Sequence, residues 1–334
     1  MNSPKISIVI LNWNGLSDTI ECLESVKKID YPDYETIVVD NGSSDGSSDE
    51  IARLFPEVVL IRNTKNLGFA GGNNVGIKYA MQHSSGYILL LNNDTVVDAG
   101  IIRNLVCATN ANPSISIFGC KAYYYSDKSR IYSLGARWDS EAFWFDHIGN
   151  NELDEDGKYS SLQEADFISG CAIFFNRTVV ERIGMLDTKY FLNYEETDWC
   201  YRARKKAIRC AGVPNAVVWH KVSVSFGGQE SPMHNYFMTR NELLWARKNL
   251  PFRERMQVYG KNVRKFLPNT TSNNSHMFFK RLYWDFRRFF SKKKDPVFQA
   301  SVIGIRDFIF KRYGNCPKKI QYLHQKYLSR KING

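Results

Sequence analysis

The chain carries no paired-cysteine motif. Its seven cysteines (22, 107, 120, 171, 200, 210 and 316) are scattered, odd in number and free of any CxxC pair. That pattern speaks against a disulfide frame or a zinc site and reads as reduced, mostly buried thiols in a cytosolic protein. No stretch approaches about 18 uninterrupted apolar residues, so no membrane-spanning helix is expected. A basic n-region followed by an apolar h-region is missing, so nothing suggests secretion. GxGxxG does not follow the first apolar run, and a GxxxxGK[ST] loop is absent. Hydride transfer and phosphate-loop hydrolysis lose most of their support with them.

Acidic residues are scarce in the last third. Residues 231–334 hold 23 Lys and Arg against 5 Asp and Glu, a net +18, whereas the first 230 residues carry a net −7. A mildly acidic body thus bears a strongly basic tail region, suited to anionic surfaces: lipid headgroups, nucleic acid or a phosphate-linked substrate. With 334 residues, 43% of them hydrophobic and 24% charged, the chain can bury one large α/β core and an appendage.

The first hundred residues alternate strand and helix signals. Ile6–Leu11, Glu35–Val39, Val58–Ile61 and Gly86–Leu91 read as strands; segments from about Ser17, Asp49–Phe55 and Gly72–Gln82 read as helices, the first capped by Ser17 or Asp18. Such alternation implies a mostly parallel sheet with helices on both faces. From about 115 to 160 the pattern turns aromatic and irregular and reads as a strand-and-loop insertion. Phe167–Phe175 is strand-like, Glu196–Lys206 helical, and Val217–Trp219 a short strand ending at His220. Beyond about Met233 the chain reads as helices with basic faces.

Ligands of open parallel sheets bind at the carboxyl ends of the strands. Three polar clusters stand there: Asn12-Trp13-Asn14-Gly15, Asp40 through Gly46, and Asn92-Asn93-Asp94-Thr95. Each alone is explained equally well by turn chemistry; three at successive strand ends favour a binding rim. Asp94, closing an apolar strand, can offer hard oxygen to Mg²⁺ or Mn²⁺. His220, at the end of another strand, is either a satisfied buried histidine or a further ligand. Glu195, Glu196 and Asp198 crowd three acids near a helix N-terminus. They serve as dipole-favourable capping charges or, by mutual repulsion in a half-buried place, as a general base.

These segments resemble the GT-A-fold, family 2 (inverting) glycosyltransferases, in particular the rhamnosyltransferase-like branch. The carrying stretches are SIVILNWNG, TIVVDNGSSDGS, NLGFAGGNNVGI, LLLNNDT, ISGCAIFFNR, FLNYEETDWCYRAR and VVWHKVSVS, in family order from residue 6 to about 225. The resemblance implies an α/β GT-A domain over 1–230, with nucleotide-sugar binding in about 1–110 and the acceptor and catalytic part in about 111–230, followed by a basic helical region over 231–334.

It also implies roles. Asp40 would bind the base or ribose of a UDP- or dTDP-sugar, with Asn12 lining the same pocket and Asn14, Gly42, Asn66, Gly71 and Asn74 around it. Asn92, Asn93 and Asp94 occupy the place of the family's DxD motif, Asn92 replacing its first acid; Asp94 and His220 would contact Mg²⁺ or Mn²⁺. Glu196 would be the catalytic base, Asp198 the reserve, and Gly170 with Glu195 would face the acceptor, a glycan or a lipid-linked sugar in cell-envelope polysaccharide synthesis. A sugar nucleotidyltransferase, or a non-catalytic nucleotide-sugar- or glycan-binding protein of the same fold, are the alternatives.

Residues 278–294 carry an aromatic stripe with basic neighbours. They fit either an interfacial helix on an anionic membrane or a helix docked on the catalytic domain. The first would place the protein peripherally on the inner face of the cytoplasmic membrane. Nucleic acid is the poorer partner, since no nucleic-acid motif accompanies the charge.

Overall fold

The computed structural model describes residues 3–83, 85–155, 157–222, 228, 230–264 and 295–332. The chain divides into two compact units, Met1–Val224 and Ser225–Gly334.

The first unit is built on one central sheet in the order β10-β12-β6-β11-β4-β1-β2-β3. Strands β1 (Ile6–Asn12), β2 (Tyr34–Asp40), β3 (Val59–Arg62) and β4 (Tyr87–Asn92) are mutually parallel where they pair. Beyond β4 the sheet is mixed: β11 (Ala172–Asn176) runs antiparallel to both β4 and β6 (Ile115–Tyr124), and β12 (Arg209–His220) is parallel to β6. β10 (Gln163–Ala165) and β5 (Thr95–Val97) lie antiparallel to β12, and β7 (Asp127–Ser133) to β6. β8 (Ala136–Asp139) and β9 (Trp144–His147) form a separate hairpin. The α/β class expected from the sequence is present, with the all-parallel character confined to four strands.

Alternation along the strands splits the core between two faces. Ile6, Ile8 and Ile10 share one buried cluster with Leu23 of α1 (Leu16–Val26), Ile51 of α2 (Ser47–Leu54) and Leu105 of α4 (Ile101–Ala111). On the other face Val9 and Val39 lie under α3 (Gly68–Gln82), whose Gly76 could not carry a Cβ without overlapping Val9. Phe175 packs there against Trp199 of α6 (Glu195–Arg204), ring centroids 4.8 Å apart. Between β11 and α6 lies α5 (Arg177–Ile183), capped by Asn176.

Several boundaries differ from the expectation. α3 starts at Gly68 instead of Gly72, because its glycines let the helix axis approach the sheet, and that packing outweighs their poor helix propensity. α1 starts at Leu16 with Gly15 as its cap residue, leaving Ser17 and Asp18 inside the first turn. Residues 115–124 are not part of an insertion: β6 is a central strand, β7 pairs with it in the same sheet, and only β8 and β9 stand apart from it. The strand expected over Phe167–Phe175 shortens to β11, since the chain turns at Ser169 with Ala172 N–H donating back to its carbonyl. The short strand before His220 is the end of twelve-residue β12, whose register shifts between Val213 and Val217 where Pro214 cannot donate.

The second unit is helical: α7 (Pro232–Asn249), α8 (Phe252–Arg264), α9 (Pro296–Ile309) and α10 (Lys318–Ile332). Ser231 and Asp295 cap α7 and α9 through their side chains. Arg240 is fully buried; its guanidinium donates to Gly314 O at 2.7 Å and to Asn241 Oδ1 at 2.9 Å. Tyr236 OH donates to Asp307 Oδ2 at 2.9 Å, tying α7 to α9. The expected interfacial stretch 278–294 lies outside the described residues. Among the described residues no helix is long and apolar enough to cross a membrane.

Candidate active site

Register brings the polar clusters to one rim. Asn12 pairs with Asp40 across β1 and β2, and Leu11 pairs with Asn92 across β1 and β4, so the three strand ends are level. Asn92 N–H donates to Cys171 O at 2.9 Å, which sets the Ser169–Cys171 turn beside them. His220 ends β12 opposite Thr95 of β5, next to Asp94.

On the first two strand ends, Asn12 is fully buried and its amide nitrogen donates to Asp40 Oδ1 at 2.9 Å and to Ser47 Oγ at 2.8 Å. Its oxygen accepts from Thr19 Oγ1 at 2.9 Å. Asn12 therefore holds Asp40 in place, with its amide N–H groups spent on the protein. Asp40 Oδ2 accepts from Ser43 N–H at 3.2 Å. Asn14 holds the facing loop, its Oδ1 accepting from Ser44 N–H at 2.8 Å. Gly42 sits at φ +74°, where an added Cβ would meet the Lys65 backbone at 2.7 Å. Trp13, unassigned by the sequence reading, stands at this rim with 38% of its surface exposed.

The buried Asn41 ties the 63–68 loop to this rim. Its oxygen accepts from Asn63 Nδ2 at 3.1 Å and Leu67 N–H at 3.0 Å, and its nitrogen donates to Asn66 Oδ1 at 3.1 Å. Asn66 is thus a loop brace. Gly71 is a packing residue, its Cβ position only 2.8 Å from Leu67 Cβ. Asn74 is spent as a clasp: its side chain donates to Leu186 O at 2.9 Å and accepts from Leu186 N–H at 3.1 Å. These contacts give Asn66, Gly71 and Asn74 structural work beside the nucleotide-binding role the family resemblance implied.

At the third strand end, Asn93 Nδ2 donates to Thr19 Oγ1 at 2.9 Å. Asp94 is buried, and its Oδ1 lies 3.1 Å from His220 Nε2 in an orientation that satisfies no hydrogen bond. Burial pushes the Asp94 carboxyl up, but the neighbouring His220 and Lys221 prevail and hold it below the usual carboxylate range. His220 keeps a buried, unpartnered Nδ1, and the edge of its ring meets Tyr132 at 5.2 Å. Lys221 Nζ bridges Asp18 Oδ1 at 2.5 Å and Glu21 Oε2 at 2.6 Å, a pairing across the chain that local sequence could not signal.

The pair Asp94–His220 fits a hard divalent cation. Two ligands on adjacent corners of an octahedron with bonds of about 2.1 Å stand about 3 Å apart, and here a buried oxygen and a ring nitrogen meet at 3.1 Å without bonding each other. Among the described residues no group of three His, Cys, Asp or Glu could complete such a shell. Cys22 and Cys171 stand near Asp94, but burial pushes both thiols up to about 12, so neither offers a thiolate at neutral pH.

The acids of α6 take three different situations. Asp198 is fully buried, accepting from Tyr190 OH at 2.9 Å through Oδ1 and from Arg202 Nε at 3.0 Å through Oδ2. Both its oxygens are engaged, which makes it an anchor of the helix and removes it as a reserve base. Glu195 is buried with Oε2 unpartnered; burial, and then the Glu196 charge beside it, raise its carboxyl well above the usual range. Glu196 is half-buried, also with an unpartnered Oε2, and burial raises its carboxyl against the opposing backbone N–H groups of the helix start and of Gly170. A Cβ on Gly170 would stand 3.5 Å from Glu196 Oε1, so the glycine turn lies directly against this carboxylate.

The loop that delivers these acids is strained. Phe191, Asn193 and Tyr194 all have positive φ (66°, 64° and 75°), a costly backbone for residues with side chains. Phe191 O accepts from Phe69 N–H at 2.6 Å at the start of α3, and Gly68, at φ +76°, leaves the room for it. The glycine-rich segment read as part of the nucleotide pocket therefore also fixes the loop that presents Glu195 and Glu196.

Comparison with known proteins identifies the family and the fold. The model of "Glycosyl transferase family 2" matches residues 7–184. The chain is 26% identical over 261 residues to the dTDP-rhamnosyl transferase RfbF of Shigella flexneri, covering 75% of this chain and 82% of that one. It is 27% identical over 240 residues to the low-salt glycan biosynthesis hexosyltransferase Agl10 of Haloferax volcanii, covering 72% and 74%. Among solved structures, the mannosyltransferase PcManGT from Pyrobaculum calidifontis, in complex with GDP-Man and Mn²⁺, superposes with a TM-score of 0.56 at 13% identity, over 93% of this chain and 89% of that one. That likeness is one of fold, the GT-A fold. The family match spans the three strand-end clusters and the turn at Gly170, and by it the chain belongs to glycosyl transferase family 2 and is a glycosyltransferase.

Proposed function

We propose that the protein is an inverting glycosyltransferase that moves a sugar from a UDP- or dTDP-sugar to a hydroxyl of a glycan or lipid-linked acceptor in cell-envelope polysaccharide synthesis. The observation that carries this reading is Glu196: a raised, half-buried carboxylate with a free oxygen, lying against Gly170 on the rim that also holds Asp40 and Asp94. Rhamnose is the transferred sugar favoured by likeness to the Shigella flexneri enzyme.

In this mechanism Asp40, braced by Asn12, accepts from the N3–H edge that uracil and thymine share. Trp13 offers an aromatic face at the same rim. Asp94 and His220 would hold Mg²⁺ or Mn²⁺, which supplies positive charge for a diphosphate. Glu196 accepts the proton of the acceptor hydroxyl as that oxygen bonds to the anomeric carbon; the bond from that carbon to the diphosphate oxygen breaks on the opposite face, and configuration inverts. Burial and the Glu196 charge raise the Glu195 carboxyl well above the usual range, which favours its neutral form beside the base. A peripheral place on the inner face of the cytoplasmic membrane is supported by the net +18 of residues 231–334.

The test is release of UDP or dTDP from a panel of nucleotide sugars, with Mn²⁺ or Mg²⁺ and a lipid-linked acceptor supplied. Metal-dependent release from one donor, lost in Glu196→Gln, is expected. Silence across the panel with acceptor present would refute the reading, and a product of retained configuration would refute the inversion.

A further inference from the structure

Tyr132 has no role in the reading above, yet the fold presents it to the site. β7 pairs with β6 through Ser133–Ala122 and Ile131–Tyr123, so two steps on β7 match one on β6 and Tyr132 is the extra residue of a bulge. Bulges beside active sites re-aim a side chain out of the ladder. This one is pinned on both sides: Tyr132 O accepts from Asn150 Nδ2 at 2.8 Å, and Ser133 Oγ lies 2.8 Å from His147 Nδ1. The Tyr132 ring stands edge-on to His220 at 5.2 Å and to Tyr124 at 5.5 Å. Its hydroxyl has no hydrogen-bond partner among the described residues. Burial first, and then Cys171, Glu196, Tyr124 and Asp94, raise the phenol, so the ring lies within electrostatic reach of both Glu196 and Asp94.

A ring that only filled space here would be served by phenylalanine, since its contacts with His220, Tyr124 and His147 are made by the ring and not by the hydroxyl. The hydroxyl needs a separate account. His220 marks the side where a diphosphate leaves and Glu196 the side where an acceptor hydroxyl attacks. In an in-line displacement these two oxygens lie on opposite faces of the anomeric carbon, so the transferred sugar itself must occupy the space between them. We propose that the Tyr132 hydroxyl donates a hydrogen bond to a hydroxyl of the transferred sugar, and so helps to select the donor. The inference rests on the glycosyltransfer mechanism proposed above.

The experiment compares wild type with Tyr132→Phe on the accepted donor and on its monodeoxy analogues, with melting temperatures as the check on folding. Tyr132→Phe is expected to lower kcat/KM about tenfold on the full donor. One analogue should lower wild type by a similar factor and leave the variant no worse than its own value on the full donor. The inhibition constant of free UDP or dTDP should not change, because the nucleotide is held elsewhere. Wild-type-like kcat/KM in a folded Tyr132→Phe would overturn the proposal, as would a penalty of the same size on every analogue. A wild type inactive on all donors with acceptor present would instead remove the glycosyltransfer mechanism, and this contact with it.

Discussion

His220 Nε2 stands 3.1 Å from Asp94 Oδ1, and the contact exists because β12 runs antiparallel to β5 with His220 opposite Thr95. The oxygen is buried and unsatisfied, an arrangement that costs free energy unless something bridges the two side chains.

If a divalent cation is that bridge, each side chain can be probed through metal dependence. Asp94→Ala should lower turnover about 100-fold or more. His220→Ala should raise the Mn²⁺ concentration needed for half-maximal activity about 10- to 100-fold. Titration of EDTA-stripped protein reads both. Unchanged metal dependence in the two variants would count against the pair as ligands.

Glu196 should govern the acid limb of the pH profile. Burial raises its carboxyl, and a base works only when ionised, so kcat/KM should rise with pH through an apparent pKa above the ordinary glutamate value of about 4.3. Glu196→Gln should remove that limb and cost about 10²- to 10⁴-fold, with donor binding preserved in calorimetry. A limb at or below the ordinary value would point to another base.

Glu195 gives a stability counterpart. Its folded carboxyl is raised, so protonation favours the folded state. That contribution is complete below the unfolded pKa of about 4.3 and is lost as pH rises through the folded value. Glu195→Gln should therefore gain in melting temperature over wild type as pH rises above about 4.3. A difference that stays constant with pH would contradict the burial of this group as an acid.

Asp198 should behave as an anchor. Removing its carboxylate leaves Tyr190 OH and the partly buried Arg202 without their partner. Asp198→Ala is expected to cost on the order of 3 kcal/mol in urea unfolding, and Glu196→Gln much less. A stable Asp198→Ala with impaired chemistry alone would restore it as a reacting group.

Much of this site was legible because strand ends in an α/β sheet announce themselves. Apolar runs followed by Asn12, Asp40 and Asn92 to Asp94 placed the rim, and the run of motifs pointed to the family. Whether each polar residue serves a ligand or the fold was not legible. Asn12, Asn66, Asn74 and Asp198 look alike in sequence to residues that bind substrate, but their partners (Asp40, Asn41, the Leu186 backbone, Tyr190 and Arg202) are set by tertiary contact. Tyr132 carried no signal at all, since a bulge depends on the register of two strands.

By itself the sequence determined the alternation of strands and helices, the position of the polar rim, the acidic cluster at the start of α6 and the basic character of residues 231–334. Those properties follow from local periodicity, turn chemistry and composition, which need no partner. Only the tertiary structure decided that His220 meets Asp94, that Lys221 is tied to Asp18 and Glu21, that Glu196 keeps an unpartnered oxygen while Asp198 is spent, and that Tyr132 meets His220. Each of these is a pairing between segments far apart in the chain, fixed by strand register and by which buried groups can satisfy one another.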